Sequence, residues 1–75
     1  MERGGGVHTV PVPNSKRWCN KHDGRVISRH NSKEVAVGVG RVAARRLKVE
    51  HTIHLEDGTI GEKNSYGNDP REVPG

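Results

Sequence analysis

The chain has 75 residues, 29% of them hydrophobic and none of them phenylalanine, and it carries a formal charge of +4. A chain this short buries only about 60% of its unfolded surface, so one marginally stable domain is expected, with a core of valine, isoleucine, leucine and alanine around Trp18. A single cysteine excludes an internal disulfide framework and fits a reducing compartment; no apolar run is long enough for a membrane span, and the amino terminus lacks a secretory core. These features lead us to expect a cytoplasmic protein without membrane contact.

The charge is uneven. Residues 1–48 hold eleven of the thirteen Lys and Arg against three acids, a net +8, whereas residues 49–75 carry a net −4. A basic surface for polyanions and an acidic one elsewhere are expected, beside the plain alternative of solvated faces that maintain solubility.

In chain order, residues 1–6 read as a flexible lead, residues 7–67 as the domain and 68–75 as a tail. Val7 to Val12 alternates and is β-branched, a first strand that Pro11 confines to a sheet edge or to a strand end. "RWCNKH", Asp23-Gly24 and "RVISRH" read as a hairpin whose Asp-Gly pair suits a type I′ turn. Trp18, Asn20 and His22 share one face of the first of these strands, and Cys19 and Lys21 the other.

"NSKEVAVGVGRVAARRLK" changes to a helical period, with Asn31 or Ser32 as cap and Glu34 in the first turn. Ala36, Val39, Gly40, Ala43 and Leu47 form the expected apolar face, and Arg41, Arg45 and Lys48 a separate basic stripe with Arg46 beside it. Gly38 and Gly40 each weaken the helix by about 1 kcal/mol relative to alanine, and Gly40 on the apolar face lets the helix approach a sheet. "VEHTIHLEDGTIGEK" returns to period two, with Val49, His51, Ile53 and Leu55 on one face and a second hairpin at Asp57-Gly58. The expected fold is α+β: an antiparallel sheet of four to five strands with one helix packed on it, in the order ββ(β)-α-ββ.

The order Val-His-x-Val-Pro, Trp-x-x-Lys-x-x-Gly, an alanine-rich helix, Ile-His-x-x-Asp-Gly-x-Ile and Ser-Tyr-Gly-Asn-Asp-Pro resembles a family of small prokaryotic and phage domains of unknown function. The resemblance spans roughly residues 8 to 75, includes His8, Trp18, His54, Asp57, Tyr66 and Asp69, and implies a compact sheet-plus-helix architecture without an established activity. Members of that family tend to carry an apolar residue in place of Asn20 and alanine in place of Gly40, so both departures are expected to weaken the core.

The residues bear on three chemistries. Cys19-x-x-His22 and His51-x-x-His54 resemble zinc half-sites, but residues three apart in a strand point to opposite faces, so no metal ligand is assigned. Cys19 has no helix terminus or glycine-rich turn to activate it, and Asp23 and Asp57 suit turns for backbone reasons, so no catalytic residue, cofactor or small-molecule substrate is expected. The remaining reading is a non-enzymatic binding protein contacting DNA or RNA phosphates through Arg41, Arg45, Arg46 and Lys48 of the helix and Arg17, Lys21, Arg25 and Arg29 of the hairpin. The alternative is a protein-interaction module, either a homodimer or a phage-type modulator of a host protein. Tyr66 is expected to fold back onto the sheet and add aromatic area, with Asp69-Pro70 ending regular structure.

Overall fold

The structure, a computed structural model, describes residues 5–66. Residues 1–4 of the lead expected at 1–6, Gly67 at the end of the expected domain, and the tail expected at 68–75 with its Asp69 and Pro70 lie outside the described residues. The elements are β1 (Val7–Pro11), β2 (Trp18–His22), β3 (Arg25–His30), α1 (Lys33–Leu47), β4 (Glu50–His54) and β5 (Ile60–Ser65). They build one five-stranded sheet in the order β3-β2-β1-β4-β5, with α1 packed on one face.

The α+β class and the single helix agree with the sequence, but the sheet is mixed rather than antiparallel. β1 and β4 run parallel, with Val7, His8 and Thr9 beside His51, Thr52 and Ile53. The cause is the helix: it carries the chain from edge strand β3 back across the sheet, so β4 starts at the same end as β1 and pairs with it. β1 is thereby the central strand. Pro11 is tolerated because it is the last residue of β1 and lies beyond the parallel pairing, which ends at Thr9.

Asp23 and Gly24 turn the β2–β3 hairpin with φ of 55° and 77°, the two positive values a type I′ turn requires. The β4–β5 turn is built differently. The Leu55 carbonyl accepts from Gly58 N at 2.9 Å, Gly58 takes φ of 92°, and the Asp57 carboxylate accepts from Thr59 N at 3.0 Å and Thr59 Oγ1 at 2.7 Å. These bonds hold the exposed Asp57 carboxyl below the usual carboxylate range.

Ser32 caps α1, its Oγ accepting from Val35 N at 3.3 Å. At the far end Lys48 leaves the helix with φ of 60°, its N–H donating to the carbonyls of Ala44 and Arg45. The face against the sheet is Ala36, Gly40 and Ala44, all three small. Val39 and Leu47, expected there from spacing alone, are 38% and 48% exposed. Small residues at i, i+4 and i+8 bring the helix axis close to the strands, and at that distance larger side chains fit only at the flanks.

Gly40 marks the closest approach. A Cβ there would overlap Asn20 Oδ1 and stand 2.7 Å from His51 Nε2 and 2.8 Å from Thr9 Oγ1. Asn20 and Gly40, the two departures expected to weaken the core, are therefore matched: the missing Cβ makes room for a buried polar cluster. Thr9 Oγ1 donates to Asn20 Oδ1 at 2.6 Å, so the 2.7 Å contact to His51 Nε2 is an imidazole N–H donating to the threonine oxygen. The Asn20 amide donates to the Ala36 carbonyl at 3.0 Å and to Ser28 Oγ at 3.1 Å, tying α1 to β2 and β3. Val7, Trp18 and Ile53 complete the buried layer, and Lys33 Nζ lies 5.2 Å from the centre of the Trp18 ring.

Candidate nucleic-acid interface

Strand alternation and the Asn20 bonds place the cations. Asn20 and Ser28 point at the helix, so Lys21 and Arg29, their chain neighbours, point from the opposite face of the sheet. His8, Thr52 and Lys63 are in register on that same face. Arg17 precedes β2 and Arg25 opens β3 beside the hairpin turn; both are exposed. The eight cations expected from the sequence thus do not form one surface. Those of the hairpin are spread over the turn and the far face, while those of the helix stand on the other side of the sheet.

On α1, Arg41 and Arg45 are one turn apart and share an exposed flank. Arg41 is near enough to β4 to help push the His51 imidazole below its ordinary pKa, although burial is the larger cause. Lys48 is exposed and stands at the end of the helix, where its left-handed backbone turns the chain away. Arg46 points elsewhere, to the end of an apolar groove on the outer helix face. The ion pairs among the described residues are His22 with Asp23 at 3.6 Å and Lys63 with Glu50 at 3.8 Å, so no arginine there is neutralised by a carboxylate.

Trp18 is buried under Lys33 and is not available to stack on a base, and Tyr66 is half-buried directly after β5. The zinc half-sites are split as the strand period requires. Cys19 and His54 lie on the face away from the helix, whereas His22 and His51 lie on the helix side. Among the described residues no cluster of three or more His, Cys, Asp or Glu is placed to hold a metal ion.

One contact escaped the sequence reading. His8 Nδ1 and His54 Nε2 are 3.1 Å apart, joining β1 to β4 across 46 residues, and His54 Nδ1 is 2.9 Å from the Gly58 carbonyl. The carbonyl fixes His54 Nδ1 as the donor, so His54 Nε2 accepts from His8 Nδ1–H. Burial, then the charges of His54 and Lys63, lower the His8 pKa against the weaker opposing pull of Glu50. The parallel β1–β4 pairing that brings these rings together has no signal in local periodicity.

Comparison with curated proteins and with solved structures finds no match. Residues 7–66, which span every strand and the helix, match the family described as "Uncharacterized protein conserved in bacteria (DUF2188)", and the chain belongs to that family.

Proposed function

We propose that the chain is a small non-catalytic binding protein that contacts the phosphates of DNA or RNA, with Arg41 and Arg45 of α1 as its principal cations. The observation that carries this reading is that flank: two exposed arginines one turn apart, with no carboxylate paired to them among the described residues. Arginine presents a rigid fork of donors that matches phosphate oxygens, and such contacts give affinity without reading bases. The non-catalytic part rests on the placement of the nucleophile. Cys19 is buried, His22 and His51 lie on the other face of the sheet from it, and His8 and His54 on its own face hydrogen-bond each other.

Because Trp18 is buried, anisotropy of a labelled oligonucleotide is the better readout. Titrations of duplex DNA and of RNA at two salt concentrations should give an affinity that falls with salt, by about 0.9 in log–log slope per DNA phosphate contacted. Arg41→Ala with Arg45→Ala should reduce the DNA slope by about 2, whereas Lys21→Ala with Arg29→Ala on the far face should leave most of it. No binding at low salt, or loss only with the far-face pair, refutes the assignment.

A further inference from the structure

The helix face turned away from the sheet carries valines where a solvated helix ordinarily carries charge. Val35, Val39 and Val42 stand at i, i+4 and i+7 and are 53%, 38% and 54% exposed. With Gly38 among them they line a shallow apolar groove that has Glu34 toward one end and Arg46 at the other. Neither residue type is a good choice for an exposed helix position: valine loses side-chain freedom there, and glycine is poorer still. Gly40 is required by the polar cluster beneath it, but among the described residues nothing beyond the helix's own neighbouring backbone lies within 4 Å of the place a Cβ on Gly38 would take. A missing side chain that no contact among the described residues requires suits the close approach of a second backbone.

We propose that this face is a homodimer interface, in which α1 packs antiparallel on α1 of a second copy about a twofold axis passing near residue 40. Charge selects the occupant. The face is acidic at its amino end, at Glu34, and basic at its carboxyl end, at Arg46. A twofold antiparallel pair sets each Glu34 beside the basic end of the other helix, and it does so twice. Packing selects the same register. Gly38 and Val42 are centred on residue 40, as are Glu34 and Arg46, so seating Val42 of each copy over Gly38 of the other also brings the opposite charges together. The surface is self-complementary in shape and charge at one alignment. This inference does not depend on the nucleic-acid reading, and its test contains no nucleic acid.

The experiment is sedimentation equilibrium of the full chain from low micromolar to millimolar concentration, with circular dichroism on every variant to confirm the fold. A reversible monomer–dimer equilibrium is expected. Gly38→Leu adds a side chain into open space and Val42→Glu changes an exposed position, so both should keep the fold while weakening association by roughly tenfold or more. Glu34→Arg should weaken it as well, and adding Arg46→Glu to Glu34→Arg should restore it. A monomer at all concentrations overturns the proposal, because the face then serves another occupant or none. A dimer indifferent to Gly38→Leu and Val42→Glu overturns it too, by placing the interface elsewhere, for instance on the edge strands β3 or β5.

Discussion

Replacing Gly40 with alanine opposes two effects of known size. In an isolated helix the change is favourable by about 1 kcal/mol. In this chain the new methyl would overlap Asn20 Oδ1 and stand 2.7 and 2.8 Å from His51 Nε2 and Thr9 Oγ1, closer than real carbon contacts allow. Either α1 lifts from the sheet or the Thr9–Asn20–His51 cluster comes apart. The first is overpacking, at about 1–3 kcal/mol, and the second leaves buried polar groups unpaired at about 1–3 kcal/mol each. Less the helix gain, the cheaper route leaves a net loss of up to about 2 kcal/mol, or up to roughly 16 °C in melting temperature for a domain of this size. Gly38→Ala, in open space on the same helix, should stabilise the monomer by up to about 1 kcal/mol. Thermal and urea unfolding of both variants at low micromolar concentration provides the comparison. Asn20→Val combined with Gly40→Ala should cost less than the two single changes together, a coupling that exists only if the pair is in contact. A Gly40→Ala variant as stable as Gly38→Ala would refute the close approach and the cluster that depends on it.

Stability should also fall with acid in a defined window. His51 and His8 both have pKa values lowered in the folded chain, by burial first, so below the unfolded value of about 6.5 the unfolded state binds more protons. Their contribution is fully present above that value and declines as pH falls through it, by at most about 1.4 kcal/mol per pH unit for each histidine. Melting curves from pH 7.5 to 5 test this, and stability that is flat or rising toward pH 5 would contradict it. Asp57 contributes in a separate window near and below its ordinary value of 3.8, because its pKa is lowered and its stabilising bonds to Thr59 are lost on protonation. Ser32→Ala removes the bond to Val35 N and should cost about 1 kcal/mol in denaturant unfolding, while Asn31→Ala should be nearly neutral.

The strands, both Asp-Gly turns and the helix, with its cap narrowed to Asn31 or Ser32, were legible because each is written in local spacing. The parallel pairing of β1 with β4 was not, because it depends on which edge the crossover reaches, and that is decided by packing over the whole sheet. The helix face shows the limit of periodicity most clearly. Ala36, Val39, Gly40, Ala43 and Leu47 satisfy a helical repeat, yet the buried stripe is Ala36, Gly40 and Ala44, rotated away from the valines. Hydrophobicity alone favoured valine and leucine as the inward residues. The closeness of the sheet, set by Gly40, selected the smallest ones instead. The same rotation leaves Val35, Val39 and Val42 outside and separates Arg46 from Arg41 and Arg45, so a cluster that looked uniform in sequence divides into two surfaces.

Those two surfaces adjoin on one helix, and their coupling can be measured. In an antiparallel twofold pair each flank of a helix lies beside the same flank of its partner. Pairing through Val35, Gly38, Val39 and Val42 would therefore bring the Arg41–Arg45 flank of one copy next to that of the other, doubling the cations presented on one side. Phosphate contacts made by a joined strip add, and the second copy binds at the effective concentration set by the first. A variant that dimerises more weakly through this face, such as Gly38→Leu, should then, at concentrations where only the wild type pairs, bind a long duplex more weakly and with roughly half the salt slope, although it keeps every arginine. Anisotropy of the wild-type chain and Gly38→Leu on the same duplex, below and above the dimerisation concentration, checks this. If the far face with Lys21 and Arg29 makes the contact instead, pairing through α1 points the two far faces away from each other. Dimerisation would then leave the slope on one straight duplex unchanged. A salt slope that is the same for Gly38→Leu and wild type under dimerising conditions would therefore refute the helix flank as the binding surface, even if both proteins bind.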